Sequence, residues 1–200
     1  MKQRERGNEM SLLRTIKERR STLSFKSKKI PLSTLQEIFT YGSYAPTHYM
    51  TEAWRLKLYQ GNGKEQLVQA IIESYERSGM LPSGDSERAV RSRASIADFL
   101  LTIPHHALIY YEIPNDPIRN EEEYSSIAAF IQNSQLAAWE YGIGMLWTIT
   151  PYMHDEAFIE KVGLNSERHK IAAVLQIGYP DKTTRDKGRK PAEEWIEVME

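Results

Sequence analysis

Two arginines and two hydroxyl side chains stand together at Arg19-Arg20-Ser21-Thr22. Guanidinium groups offer planar forks of donors and hydroxyls offer single ones, a set that a phosphomonoester accepts well. A solvated basic helix end, complementing the negative pole of the helix dipole, would use the same residues, and Arg14, Lys17, Lys26, Lys28 and Lys29 surround them. Far along the chain, Lys187-Gly188-Arg189-Lys190-Pro191 sits in a tail that also carries Lys182 and Arg185. It reads either as a second grip on the same anion or as an ordinary solvated tail.

A second kind of chemistry is gathered in Ala45-Pro46-Thr47-His48-Tyr49-Met50-Thr51-Glu52-Ala53-Trp54, where hydroxyl, imidazole and aromatic groups share one connection. Loops fixed between rigid elements commonly present ligand contacts, and this composition suits a planar partner. A packed connector, with His48 on a backbone carbonyl and Trp54 in the core, accounts for it as well. Gly142-Ile143-Gly144-Met145-Leu146-Trp147-Thr148 offers glycines that admit a ligand to the backbone and an indole to cover it; helix termination explains the same glycines.

Other chemistries lack their residues. With no cysteine there is no thiol catalysis, thiolate zinc site, iron–sulfur ligation or disulfide framework. Gly63-Lys64 is followed by Glu65 and lacks the upstream glycine of a P-loop, and no dinucleotide, zinc-protease or serine-elbow motif occurs. His105-His106 is adjacent rather than spaced along a helix face, so no metal is expected.

The elements that must position these groups follow from periodicity and punctuation. Leu12, Leu13 and Ile16 form one stripe of a helix over Met10–Arg20, with Asn8 as its cap. Ser33 and Gln36 give a capping box for a second helix that ends at Gly42. Alternation over Trp54–Tyr59 predicts a strand, and Leu67, Ala70, Ile71 and Ser74 a helix closing near Gly79. Leu81–Ser86 reads as a mobile loop before a helix over Glu87–Thr102, whose stripe is Val90, Ala94, Ala97 and Leu101. A buried strand over His106–Ile113, a long helix over Tyr124–Tyr141, strands at Met145–Thr150 and Lys170–Ile177 and a short helix at Asp155–Val162 complete the order. The amphipathic patch Trp195–Met199 is too short for a core of its own and is expected to pack on something else.

Strands this sparse do not build a doubly wound parallel sheet, so the fold class is α+β, with a mixed, largely antiparallel central sheet flanked by helices. The 200 residues suit one domain, 11–200, after a flexible N-terminus at 1–10. A formal net charge of −1 gives no global pull toward nucleic acid or anionic lipid. Met1–Asn8 carries no secretory signal, and no segment is apolar enough to span a membrane, so a cytoplasmic location is expected.

Taken in order, these segments resemble the nitroreductase family of FMN-dependent oxidoreductases from about Ser11 to Pro191. Family members open with a helix ending in Arg-Arg-Ser, matched by Arg19-Arg20-Ser21, which the resemblance assigns to the flavin phosphate and ribityl chain. The Ala-Pro-Ser loop is matched from Ala45 through Thr47 to Trp54; His48 falls where one branch contacts flavin across a dimer, and Met50 stands at an amide position. The long helix carries Gln132-Asn133, and Gly142–Thr148, with Leu146, Trp147 and Thr148, matches the Gly-x-Gly and Trp strand. Ile177-Gly178-Tyr179-Pro180, Lys187 and Arg189 match the closing segment and basic tail. The resemblance implies a homodimer with FMN at the subunit interface and exchanged C-terminal tails. It further implies hydride taken from NADH or NADPH and passed to nitroaromatic, quinone-like or similar acceptors by a ping-pong mechanism. Leu23 replaces a usual cation, and Met50, Glu52 and Ala53 replace the loop's Asn, Gln and Pro, which motivates the alternative of a flavin-binding module with little reductase activity. A nucleic-acid-binding protein using Arg14–Lys29 is a third reading, disfavoured by the net charge.

Overall fold

A computed structural model describes residues 12–182 and 184–199. Among them are α1 (Leu12–Glu18), α2 (Leu32–Gly42), β1 (Arg55–Tyr59), α3 (Gly63–Arg77), α4 (Glu87–Thr102), β2 (His105–Glu112), α5 (Pro117–Glu140), β3 (Gly144–Thr148), α6 (Glu156–Lys161) and β4 (His169–Gly178). The strands form one sheet in the order β1-β2-β4-β3. Every pairing is antiparallel, so among the described residues the sheet is not mixed as the sequence reading allowed. The α+β class stands.

Both faces of the sheet are covered, which is why β2 and β4 read as continuous apolar runs rather than alternating ones. Ile109 and Tyr111 of β2 and Leu175 and Ile177 of β4 join Leu35 and Ile38 of α2 and Ile127, Phe130 and Ile131 of α5 in one core. Leu108 and Val174 point the other way, into a second core with Leu67 and Ile71 of α3, Leu100 of α4 and Phe158 of α6. A register shift beside Ile109 leaves Ala172 as an extra residue in β4, so Ala172 and Ala173 both face the first core.

Long helix α5 is the axis of the site. It starts seven residues before the expected Tyr124, because Asp116 caps it by accepting from the Ile118 N–H at 3.0 Å and Pro117 supplies the first helical position. The Asp-Pro pair reads as a turn in sequence and acts as a helix start. Of the stripe expected on it, Ile127, Ile131, Ser134 and Ala138 are buried, whereas Tyr141 is the C-cap and lies exposed.

Three sequence expectations need correction. Leu12, Leu13 and Ile16 of α1 are exposed, and the buried residue of that helix is Thr15; Met10 and Asn8 lie outside the described residues. The Ser33–Gln36 capping box does not form, since Pro31 is the N-cap and the helix begins two residues earlier than that box requires. In α4 the inward face carries Ala89 and Leu100, while Val90 is exposed. Loop 79–86 is anchored by buried Leu81, whose N–H donates to the Tyr75 carbonyl at 3.0 Å, and by Arg93, which donates to the Gly84 carbonyl at 2.8 Å. The Trp195–Met199 segment lies exposed, with Trp195 at 68%. No helix among the described residues is long and apolar enough to cross a membrane.

Candidate functional site

Arg19 and Arg20 leave the end of α1 into an extended segment that runs beside β3. The Thr22 N–H donates to the Met145 carbonyl at 3.1 Å, and the absence of a side chain at Gly144 makes room for the Thr22 hydroxyl and methyl. The approach requires glycine there, because a Cβ would overlap the Thr22 side chain.

The C-terminal tail returns to the same place. Thr184 donates its hydroxyl to the Ser21 carbonyl at 2.8 Å, and Arg20 Nη2 lies 2.6 Å from Asp186 Oδ2. Arg19 reaches inward and donates to Gln135 Oε1 of α5 at 3.2 Å. Burial lowers the Arg19 pKa first, and the nearby positive charges of Arg20 and Arg189 lower it further. Three guanidinium groups therefore converge from the two ends of the sequence. Arg19 Nε is buried without an acceptor, leaving a donor available at the heart of a positive cluster. A cavity of about 310 Å³ opens beside Arg20, lined also by Thr22, Trp139, Gly142, Lys182 and Thr184.

Leu146, Trp147 and Thr148 continue β3 away from Thr22 along the sheet edge. Thr148 is satisfied by the Val174 carbonyl at 2.7 Å, whereas the Trp147 indole N–H is buried without a partner.

The loop after α2 is a separate construction. Tyr49, Met50 and Glu52 have φ of 51°, 55° and 43°, left-handed values that side-chain-bearing residues adopt at a cost. Two carboxylates of α5 fix this backbone: Thr51 donates to Glu123 Oε2 at 2.9 Å, and His48 Nδ1 lies 2.7 Å from Glu122 Oε2. An ionised carboxylate only accepts, so Nδ1 carries the proton in that contact. Thr47 closes the loop, its hydroxyl 3.1 Å from that of Thr51 and accepting from the Glu52 N–H at 3.1 Å. His48 stacks on Tyr49 with centroids 4.1 Å apart, and the Tyr49 and Met50 side chains stand out at 84% and 76% exposure.

The predicted site residues thus fall into two groups within one chain. Arg19, Arg20, Ser21 and Arg189 come together, with Lys187 exposed in the same tail and Leu146–Thr148 on the neighbouring strand. Thr47, His48 and Met50 belong to the other group, anchored on Glu122 and Glu123 while Arg19 is anchored on Gln135. At ~1.5 Å per residue these anchors are about 20 Å apart along α5. Gln135, Glu122, Glu123, Thr184 and Asp186 were not singled out by sequence. On α5 the buried glutamine is Gln135 rather than Gln132, a position readable from the stripe because it adjoins Ser134 and Ile131.

A larger cleft of about 640 Å³ lies by the loop, lined by Arg55, Tyr110, Glu112, Asp116, Arg119 and Glu123 among others. Its charges are already engaged: Arg119 lies 3.7 Å from Glu123, Arg55 donates to the Glu52 and Trp54 carbonyls, Glu112 faces Arg168, and Asp116 caps α5. The smaller cavity, with its surplus of positive charge and its orphan donor nearby, is the better anion site. Among the described residues no cluster of three or more His, Asp or Glu side chains is arranged to hold a metal ion.

The sequence matches the model of the Nitroreductase family over residues 16–179. A relative from Bacillus subtilis (strain 168), YfhC, named provisionally as an NAD(P)H nitroreductase, is 28% identical over 193 residues, 96% of each chain. The crystal structure of a nitroreductase-like family protein from Bacillus cereus superposes with a TM-score of 0.87 at 32% identity, covering 98% of this chain and 100% of that one. The FMN-dependent nitroreductase NfnB from Mycobacterium smegmatis, solved with NADPH, shares the fold at 16% identity, with a TM-score of 0.73 over 94% of this chain and 97% of its own.

Proposed function

The chain belongs to the nitroreductase family, and from that premise we propose that it is an FMN-dependent oxidoreductase. It takes hydride from NADH or NADPH and passes the reducing equivalents to a nitroaromatic, quinone-like or similar acceptor in alternating half-reactions. The observation that carries this reading is the meeting of Arg19, Arg20 and Arg189 around a buried Arg19 donor that has no acceptor among the described residues. A phosphoryl group brings about two negative charges and three acceptor oxygens, which fits that cluster.

Bound FMN would supply the two-electron chemistry, accepting hydride from one partner and delivering it to another. Arg19, Arg20 and Arg189 hold the phosphate, with Lys187 adding charge and the Ser21 hydroxyl a single donor. Gln135 fixes the Arg19 guanidinium from α5. Leu146, Trp147 and Thr148 lie on the adjoining strand, and the buried Trp147 N–H is a donor without a partner among the described residues.

Thr47, His48 and Met50 are about 20 Å away along α5 and so serve a second subunit's flavin in a homodimer. The dimer reading is supported by exposed apolar side chains, Leu12, Leu13 and Ile16 on α1 and Tyr49 and Met50 in the loop, surface that a partner subunit would cover. Exposed Trp195 and Met199 belong to a tail that embraces the partner. One domain spans 11–200 in this reading, and the cytoplasm is its compartment.

Purified protein is tested by adding FMN, removing excess, and recording the visible spectrum before and after anaerobic NADH or NADPH. Retained flavin absorbance that bleaches with either donor, and returns with a quinone or nitroaromatic, is expected. Protein that retains no FMN overturns the proposal. Uncharged, exposed Leu23 favours the inert flavin-binding module, and flavin that is retained but not bleached would establish that alternative.

A further inference from the structure

Asp186 is the single acid between Lys182 and Lys190, a stretch that otherwise carries Lys182, Arg185, Lys187, Arg189 and Lys190. Its two carboxylate oxygens do different things. Oδ2 lies 2.6 Å from Arg20 Nη2, and Oδ1 accepts the Gly188 N–H at 3.0 Å. The second bond is an Asx turn that sets the backbone at Gly188, whose φ of 71° suits glycine, and Arg189 Nη1 then folds back to the Gly188 carbonyl at 2.7 Å. The Gly188 N–H, Arg20 and Arg189 together hold the Asp186 carboxyl below the usual carboxylate range. One side chain thus touches guanidinium from the start of the fold and shapes the turn that delivers guanidinium from its end.

We propose that Asp186 is an internal counter-anion of the arginine cluster: it docks the tail on Arg20 and competes with a ligand phosphate for that guanidinium. The proposal rests on the reading of this cluster as a phosphate site. Arg20 has few other ionic partners, since its Nη1 bonds only the Lys17 and Arg19 carbonyls. A phosphate that engages Arg20 must take it from Asp186 or share it with a like charge close by, and either costs affinity. The phosphate prevails because it carries more charge and more acceptor oxygens than one carboxylate. Asp186 therefore sets how tightly the phosphorylated end of a ligand is held, without touching its ring system.

Asp186→Asn separates the two roles. Its amide oxygen still accepts the Gly188 N–H, so the turn survives while the negative charge is removed. Dissociation constants for FMN, riboflavin and inorganic phosphate are measured for wild type, Asp186→Asn and Asp186→Ala, the flavins by quenching of their fluorescence and phosphate by its competition with FMN. In the Asn variant FMN and phosphate are expected to bind about two- to fivefold tighter, the size of one exposed ion pair, with riboflavin unchanged. The Ala variant, which loses the turn as well, gains less. Wild-type or weaker FMN binding by the Asn variant, with riboflavin unchanged, overturns the competition while leaving the phosphate site in place. Equal affinity of the wild type for FMN and riboflavin overturns the phosphate site itself, and this proposal with it.

Discussion

His105 and His106 open β2 side by side, each 1% exposed. His105 Nε2 accepts the Ile30 N–H at 2.9 Å, so in the neutral ring the proton sits on Nδ1, which is buried without a partner. His106 Nε2 lies 3.0 Å from the Leu100 carbonyl and donates to it. Burial pushes both rings down from 6.5 to about 4, and the charges of Lys64 and, for His105, Lys29 add to the effect. Lys64 itself is tethered close by, donating to the Leu101 and Ile103 carbonyls at 2.6 and 2.9 Å. Above pH 6.5 both rings are neutral in folded and unfolded chains, and they leave stability independent of pH. Between 6.5 and 4 the unfolded chain binds protons that the folded chain refuses, so stability falls as pH falls. At pH 5 that difference is about 2 kcal/mol per ring, or about 4 kcal/mol for the pair, out of a total of ~5–15 kcal/mol for a typical domain. Urea denaturation at pH 7 and pH 5 measures it. Wild type should lose most of that amount, a single His106→Gln variant about half as much, and the His105→Gln/His106→Gln pair little. An undiminished loss in the double variant would refute the reasoning, because the titrating groups would then lie elsewhere.

Replacing Arg19 or Arg189 by Ala should weaken FMN binding by about 1.5–3 kcal/mol, the range for a hydrogen bond to a charged group, with riboflavin affected less; fluorescence titration reads both. Gly144→Ala should cost about 1–3 kcal/mol in denaturant midpoint, since the added methyl meets the Thr22 side chain where the arginine segment is paired with β3. Arg93 joins Glu76 Oε1 and the Gly84 carbonyl, both at 2.8 Å, so Arg93→Met should free loop 79–86; limited proteolysis should then cut within the loop faster than in wild type.

Much of the fold was legible because its signals are local. Pro104 ends α4 at the expected Thr102, the apolar run of β2 has the length and β-forming residues of a buried strand, and Gly142 stops α5 with a φ of 67°. What misled was tertiary context. The α1 stripe reads as a core face, yet among the described residues nothing buries it; periodicity reports that a face is apolar and not what covers it. Asp116-Pro117 reads as a turn or as a helix start with equal right, and only packing of the first turns of α5 chooses. In the site, types of residue were readable while partners were not. Arg19 and Arg189 stand 170 positions apart by number, and nothing local says that they meet. Gln135, Glu122 and Glu123 are polar residues on a long helix whose roles emerge only when Arg19, His48 and Thr51 arrive beside them. The separation of the loop from the arginines along α5 is likewise a distance that sequence order does not encode.

The central claim is that the two ends of the chain meet to hold a flavin by its phosphate. Binding of FMN and riboflavin to the wild-type protein tests it most directly, because the two differ only in that group. Tighter binding of FMN by about tenfold or more, with the advantage shrinking as salt is raised, is the predicted result. Equal affinities at low salt would contradict it.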